Sequence, residues 1–149
     1  MEPDYRNDNV FLLNSLSTSS FKASSSSNAT TRAHFSPEFK TGNLGWFAAA
    51  SNTRQWIEVD LRRPRLIAEI KLAASKYDSS LRVTAFKLYG GLQRDDLMQL
   101  TNMVITGPNT DKRILFSKLL FARFVRLNPI GWNNRIAMRW EFVEANSKS

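Results

Sequence analysis

Apolar and polar residues alternate in several short segments from residue 55 onward. The segments 56–61, 66–72, 83–89 and 136–142 carry apolar side chains at or close to every second position. A period of two indicates β-strands that bury one face and expose the other. The last segment has the clearest alternation, with these apolar positions: Ile136, Met138, Trp140 and Phe142. We predict that these four side chains face the core and that the charged residues between them face solvent.

Polar segments separate the predicted strands. Residues 62–65 contain Pro64 and are typical of a hairpin connection, and Gly90-Gly91 ends the third segment. Residues 117–127 allow two interpretations, because Leu120 and Leu127 also fit a basic amphipathic helix. The aromatic and β-branched content of this segment favours a strand. Many short strands with regular turn signals predict an all-β sandwich or barrel.

Length and charge narrow the function classes. The chain has 149 residues, which suits one domain, and a net charge of +8. Residues 112–139 contain seven lysines and arginines and no acid. This excess favours anionic partners such as phospholipid headgroups, sulfated glycans, nucleic acid or acidic proteins; the alternative is a solvated basic face. No segment approaches the roughly 20 apolar residues of a transmembrane helix, so we predict none.

The sequence offers little for catalysis or metal binding. It contains no cysteine, which excludes disulfides and thiolate nucleophiles, and His34 is its one histidine. Gly90-Gly91 and Gly42-x-x-Gly45 lack the spacing and the lysine of a phosphate-binding loop. Asp95-Asp96 lies in a polar stretch that is typical of a turn rather than of a catalytic acid. We therefore predict that the chain is not an enzyme and uses no metal or cofactor.

Five sequence blocks, in order, resemble one known family. They are Gly45-Trp46, residues 55–61 (Gln-Trp-Ile-Glu-Val-Asp-Leu), residues 83–89, residues 122–132 (Ala-Arg-Phe-Val-Arg-Leu-Asn-Pro-Ile-Gly-Trp) and residues 136–142. Their pattern is similar to that of the discoidin family, also called the coagulation factor V/VIII type C domain. The resemblance implies an eight-stranded jelly-roll sandwich over residues 15–143. It leaves residues 1–14 as an N-terminal extension and residues 144–149 as a C-terminal tail.

The resemblance also implies where ligands bind. Discoidin-type domains bind anionic phospholipids, galactose-type sugars, collagen or peptides through loops at one end of the sandwich. Transferred to this chain, the expected ligand-binding residues are Trp46, Phe47, Asn52, Lys76, Tyr77 and Arg82. The third loop, residues 75–82, mixes a cation, an aromatic ring and hydroxyls, which suits sugars or headgroups. For Trp46 a position in the core is the alternative.

Two functions remain open at this point. The first is a non-catalytic module that recognises a glycan or an anionic phospholipid headgroup in adhesion or targeting. The second is an intracellular protein-interaction domain within a larger assembly. Nucleic acid is not expected as a partner, because no reader motif is present. The lack of cysteine favours a reducing compartment, whereas the resemblance favours the cell surface or the extracellular space.

Overall fold

A computed structural model describes residues 11–27, 45–75, 78–104 and 112–145. Apart from a short 3-10 turn at Thr18–Ser20, its regular structure is β. The strands are β1 (Phe21–Ala23), β2 (Trp46–Phe47), β3 (Ile57–Ala73), β4 (Arg82–Gly91), β5 (Met98–Val104), β6 (Lys112–Asn133) and β7 (Ala137–Glu144). The predicted all-β class is confirmed, and residues 117–127 belong to a strand, as the composition favoured. In the described ranges no helix is long and apolar enough to span a membrane.

Two long, bent strands carry the chain through both layers of the sandwich. The first part of β3 pairs with β1 and with the last part of β6. The last part of β6 pairs with β4 on its other side, and β4 pairs with β5. The last part of β3 pairs with β7 and with the first part of β6, and β7 also pairs with β2. We call the group β1-β3-β6-β4-β5 the first sheet and β2-β7-β3-β6 the second sheet.

The bend in β3 is an enlarged β-bulge. Asp60 pairs with Phe124 and Arg65 pairs with Ala122, so four residues of β3 oppose Arg123 alone. The sequence had indicated a hairpin connection at residues 62–65, and this prediction is wrong. Turns and bulges use the same residue types, and here both flanking segments pair with one partner strand rather than with each other.

The Asp60 carboxylate holds the bulge in shape. It accepts a hydrogen bond from the Arg62 amide at 2.8 Å and two from the Arg123 guanidinium at 2.8 and 3.1 Å. Arg62 has a φ of 74°, a left-handed conformation that needs such support in a residue with a side chain. Burial alone would raise the pKa of Asp60, but Arg123 and the Arg62 amide hold it below its ordinary value.

The inner faces of the two sheets meet in a single apolar core. Ile136, Met138, Trp140 and Phe142 are all buried there, as predicted. Glu141 departs from the prediction, because it is only 1% exposed rather than facing solvent. Its Oε1 accepts hydrogen bonds from the backbone amides of Leu13 at 2.7 Å and Phe142 at 2.8 Å.

The segment before residue 15 belongs to the packed unit. Leu12 and Leu13 are buried in the core, and the Leu12 amide donates to the Phe142 carbonyl at 2.9 Å. At the other end, Ala145 is buried and its amide donates to the Leu66 carbonyl at 2.8 Å. Residues on both sides of the predicted 15–143 domain thus pack against the sandwich, and the boundaries themselves stay a prediction. The apolar run at residues 10–13 is too short to show a strand or helix periodicity, so the sequence did not indicate this packing.

Candidate functional site

Four connections emerge at the same end of the sandwich. β1 ends and β3 begins as paired neighbours there, since Ala23 lies opposite Ile57. β4 begins with Arg82 opposite Asn133, the last residue of β6, and β7 begins with Ala137 opposite Phe47. We call the described part of these connections the loop end. It comprises residues 24–27, 48–56, 74–75, 78–81 and 134–136.

A buried glutamine, Gln55, joins the first loop (residues 24–27) to the second loop (residues 48–56). The Gln55 side-chain oxygen accepts hydrogen bonds from the hydroxyls of Ser24 and Ser25. Its amide nitrogen donates to the Asn52 side-chain oxygen at 3.0 Å, which also accepts from the Arg54 amide at 3.0 Å. Asn52, expected as a ligand contact, thus has its side-chain oxygen occupied within the protein and acts as a brace for the β2–β3 loop.

Trp46 lies in the core instead of at the surface. It is fully buried in β2 opposite Met138, and its indole N–H donates to the Ser25 carbonyl at 2.8 Å. A direct contact between this indole and a ligand would require the ring to leave the core. The core position, which was the alternative for Trp46, is therefore the one observed; the indole orders the first loop, and a ligand contact stays a prediction. The adjacent Gly45 suggested a loop from sequence, but pairing with β7 makes the position a strand.

Phe47 and Arg135 form an exposed cationic feature beside the β6–β7 turn. Phe47 is 7% exposed, and the guanidinium of Arg135 lies 5.3 Å from its ring centroid. Arg135 also donates to the Ser27 hydroxyl at 2.9 Å. A guanidinium held over an aromatic ring keeps some of its N–H donors available to an incoming oxygen. Phe47 therefore supports the cation and contributes little surface of its own.

The β6–β7 turn places two more polar side chains beside the third loop. Asn134 adopts a φ of 62°, a conformation that asparagine tolerates, and its side-chain nitrogen donates to the Ser80 hydroxyl at 3.3 Å. Asn133 donates to the Ser80 carbonyl. These bonds fix the third loop against the turn. Arg82, an expected ligand residue, is half-buried at the start of β4, opposite Asn133.

The expected residues do not all converge. Asn52 lies in the loop end, and Phe47 and Arg82 are strand residues that border it. The Asn52 side-chain oxygen is bonded within the protein, and the Phe47 ring is buried. Lys76 and Tyr77 fall outside the described residues, so their expected role stays a prediction. Sequence reasoning missed Arg135, whose partner Ser27 lies 108 residues away. An Asn-Asn-Arg turn between two strands was the one available signal.

The chemistry of the loop end is polar and cationic. Serine hydroxyls, asparagine amides and an arginine over a ring can bind hydroxyl or anionic oxygens. Within the described ranges no group of three or more His, Cys, Asp or Glu side chains is arranged to hold a metal ion.

Comparisons with known proteins agree with this architecture. The family model described as F5/8 type C domain matches residues 17–142. Lactadherin of Mus musculus is 29% identical over 108 residues, which are 66% of this chain and 23% of that protein. Retinoschisin of Mus musculus is 30% identical over 112 residues, 69% of this chain and 50% of that protein. The chain thus spans at most half the length of these two relatives.

Solved structures show the same fold. Discoidin II of Dictyostelium discoideum superposes with a TM-score of 0.74 at 18% identity, covering 87% of this chain and 56% of that one. The family 32 CBM from C. perfringens NanJ, determined in complex with galactose, gives a TM-score of 0.66 at 13% identity and covers 82% of this chain and 90% of that one. The predicted jelly-roll class is confirmed by these neighbours.

Proposed function

Because this chain belongs to the F5/8 type C domain family, we propose that it is a non-catalytic module that recognises a glycan through its loop end. The family consists of ligand-binding modules, and the solved NanJ module carries galactose. These likenesses support the class of ligand. A role in adhesion or targeting is likewise part of the proposal, because the chain spans only part of its relatives' length and their whole-protein roles do not transfer directly.

The observation that carries the proposal is the Arg135 arrangement. The guanidinium is exposed, lies 5.3 Å from the Phe47 ring centroid and is anchored to Ser27. Anchoring reduces the conformational entropy that the side chain loses when a ligand binds. The surrounding hydroxyl and amide groups suit the hydroxyl-rich surface of a sugar.

The direct test is binding to a glycan array, followed by titration of the best glycan. We expect Arg135→Gln to weaken binding about tenfold, because it removes a charge-assisted hydrogen bond. Arg63→Gln is the matched control, since Arg63 is an exposed arginine in the β3 bulge, outside the loop end. Equal binding by Arg135→Gln and the parent chain would refute the proposed site.

An anionic phospholipid headgroup is the second candidate, and the loop tips favour contact by charge over insertion. The exposed residues of the second loop are small or polar, namely Ala49, Ala50, Ser51, Thr53 and Arg54. Phe47, the bulky apolar side chain nearby, is covered. Each basic residue near an anionic membrane contributes about 1 kcal/mol, and salt screens that attraction.

Liposome cosedimentation across a salt series tests the lipid candidate. Binding should require anionic lipid and should be lost as salt rises from about 0.1 M toward 1 M. The paired change Lys76→Glu/Arg82→Glu should abolish it, whereas Phe47→Ala should not. Salt-insensitive binding that Phe47→Ala abolishes would indicate insertion instead. Failure of both glycans and liposomes, with capture of a defined protein, would favour the protein-interaction alternative.

A further inference from the structure

A second concave surface lies on the outer face of the first sheet. It is a cleft of about 620 Å³ between the β2–β3 loop, which contributes Thr53 and Arg54, and the β4–β5 loop, which contributes Arg94 and Asp95. Its floor includes Tyr89 of β4 and residues of β6. The β6 residues in this lining are Arg126 and Asn128. It is separate from the Arg135 arrangement, and none of its lining residues was expected from the sequence.

A buried carboxylate organises the cations of this cleft. Glu58 is 1% exposed and pairs with Nε of Arg94 at 2.9 Å and with Nη2 of Arg126 at 2.8 Å. Both arginines remain partly open, with side-chain exposures of 43% and 32%. Among the described residues, no further partner lies within hydrogen-bonding distance of the remaining Arg94 nitrogens or of Nη1 of Arg126. Donors are therefore held in place without being saturated.

Aromatic rings fix the planes of the same two guanidiniums. Arg126 lies 4.3 Å from the Trp56 ring centroid, and Arg94 lies 4.9 Å from that of Phe124. Ion pair and ring together restrict each side chain to one geometry, which lowers the entropy lost on binding. Rigid guanidinium forks of this kind match carboxylate and sulfate oxygens.

The β2–β3 loop, which forms the opposite wall of the cleft, is also anchored, except for the side chain of Arg54. Asn128 of β6 donates to the carbonyls of Thr53 at 3.0 Å and Gln55 at 2.6 Å, which fixes the β2–β3 loop against the sheet. Arg54 is exposed beside this anchor and makes no side-chain ion pair in the described part of the chain. Three arginines line the cleft against one aspartate, so even with Glu58 beneath them a positive charge remains in excess.

We propose that this cleft is a second binding site and that its ligand is an acidic oligosaccharide, bearing uronate or sulfate groups. The fixed guanidiniums receive the anionic groups, and the Thr53 and Tyr89 hydroxyls, which line the cleft, bind the hydroxyls of the sugar chain. Leu97 is the one aliphatic side chain in the lining. Peptide grooves usually contain apolar pockets for anchor residues, and this cleft offers none of that kind.

Arg54→Gln is the variant that tests the cleft, because Arg54 lines it without supporting the fold. Isothermal titration with an oligouronate tetramer and a sulfated tetrasaccharide should show binding to the parent chain, about tenfold weaker binding to Arg54→Gln, and none to a neutral tetrasaccharide. Tyr89→Phe should weaken binding by a smaller factor. Arg63→Gln, which removes the same charge elsewhere, should stay within about twofold. Thermal melts confirm that each variant is folded.

Two further measurements separate this site from the Arg135 arrangement. Arg135→Gln should leave binding of the acidic tetramer unchanged, and backbone amide shifts should move at Thr53, Arg54 and Arg94 rather than at Ser27. Absence of binding to both acidic tetramers would overturn the proposal, and so would equal losses in Arg54→Gln and Arg63→Gln. Loss in Arg135→Gln with full binding in Arg54→Gln would assign the acidic sugar to the Arg135 arrangement. The ligand class would also be overturned by an acidic peptide that shifts the amide signals of the cleft but does not displace a bound acidic tetramer.

Discussion

Glu141 makes the stability of this fold depend on pH in an unusual direction. The carboxyl lies between β7 and the N-terminal segment, where burial raises its pKa to about 7. Hydrogen bonds from the Leu13 and Phe142 amides and the charge of Lys71 oppose that rise without cancelling it. Among the described residues, Oε2 has no hydrogen-bond partner, which is consistent with a cost for the charged form.

The sign of the effect follows from which state binds the proton. In the unfolded chain this carboxyl titrates near 4.5, whereas in the folded chain it titrates at about 7. Between these values the folded state keeps a proton that the unfolded state has released, so the free energy of unfolding falls as pH rises. The slope is about 1.4 kcal/mol per pH unit, and the full window amounts to about 3 kcal/mol. Outside the window Glu141 contributes no slope.

Glu141→Gln isolates this contribution, because the amide keeps an oxygen acceptor for both backbone N–H groups and cannot ionise. Urea unfolding, followed by tryptophan fluorescence at pH 4.5, 6, 7 and 8, gives the stability difference between parent and variant. We expect the parent to lose about 3 kcal/mol relative to the variant between pH 4.5 and pH 8. Glu144→Gln is the control, since it removes a negative charge from the same strand without touching the buried carboxyl. The reasoning would be refuted if the difference in unfolding free energy between parent and variant did not change with pH, or if it changed in the parent's favour as pH rises.

Substitutions at three positions test the packing directly by thermal and urea unfolding. Met138→Asp places an unpaired charge in the core and should cost several kcal/mol, whereas Met138→Leu should cost less than about 1.5 kcal/mol; equal melting temperatures would contradict the placement. Gly45→Ala should cost about 2 kcal/mol or more, because Gly45 has a φ of +112° and an added Cβ would lie 2.7 Å from the Met138 carbonyl oxygen. Asp60→Asn should cost about 1–3 kcal/mol by weakening the bonds from Arg123, and a neutral effect would show that the bulge needs no carboxylate.

Local pattern predicted the strands well and their long-range partners poorly. The alternation in residues 136–142 correctly identified the core face, because a period of two depends on the backbone alone. It missed the burial of Glu141, because the carboxylate is bonded to the Leu13 amide, which is more than a hundred residues away. The bulge at residues 62–65 looked like a hairpin turn for the same reason. Only the pairing of its flanking segments with β6 distinguishes this bulge from a hairpin turn.

The candidate site shows the same limit. Trp46 was expected at the surface because it follows a glycine, and its pairing with Met138 puts it in the core. Arg135 was not expected, because its ring and hydroxyl partners, Phe47 and Ser27, are distant in sequence. Loops gain their chemistry from neighbours that the fold brings together, so the loop end could be located from the family resemblance, whereas the partners of its side chains could not.

The net charge of +8 is distributed in a way that bears on both proposed sites. Several arginines are tied to acids at structural positions, as Arg123 is to Asp60 and Arg65 is to Glu144. Those pairs contribute little field to an approaching ligand, because each cation is matched by a carboxylate. Arg135 is anchored by a hydroxyl and a ring instead, so its charge is not compensated locally. Ligand binding at the loop end should therefore show the salt dependence of one or two cations, far weaker than the total charge suggests.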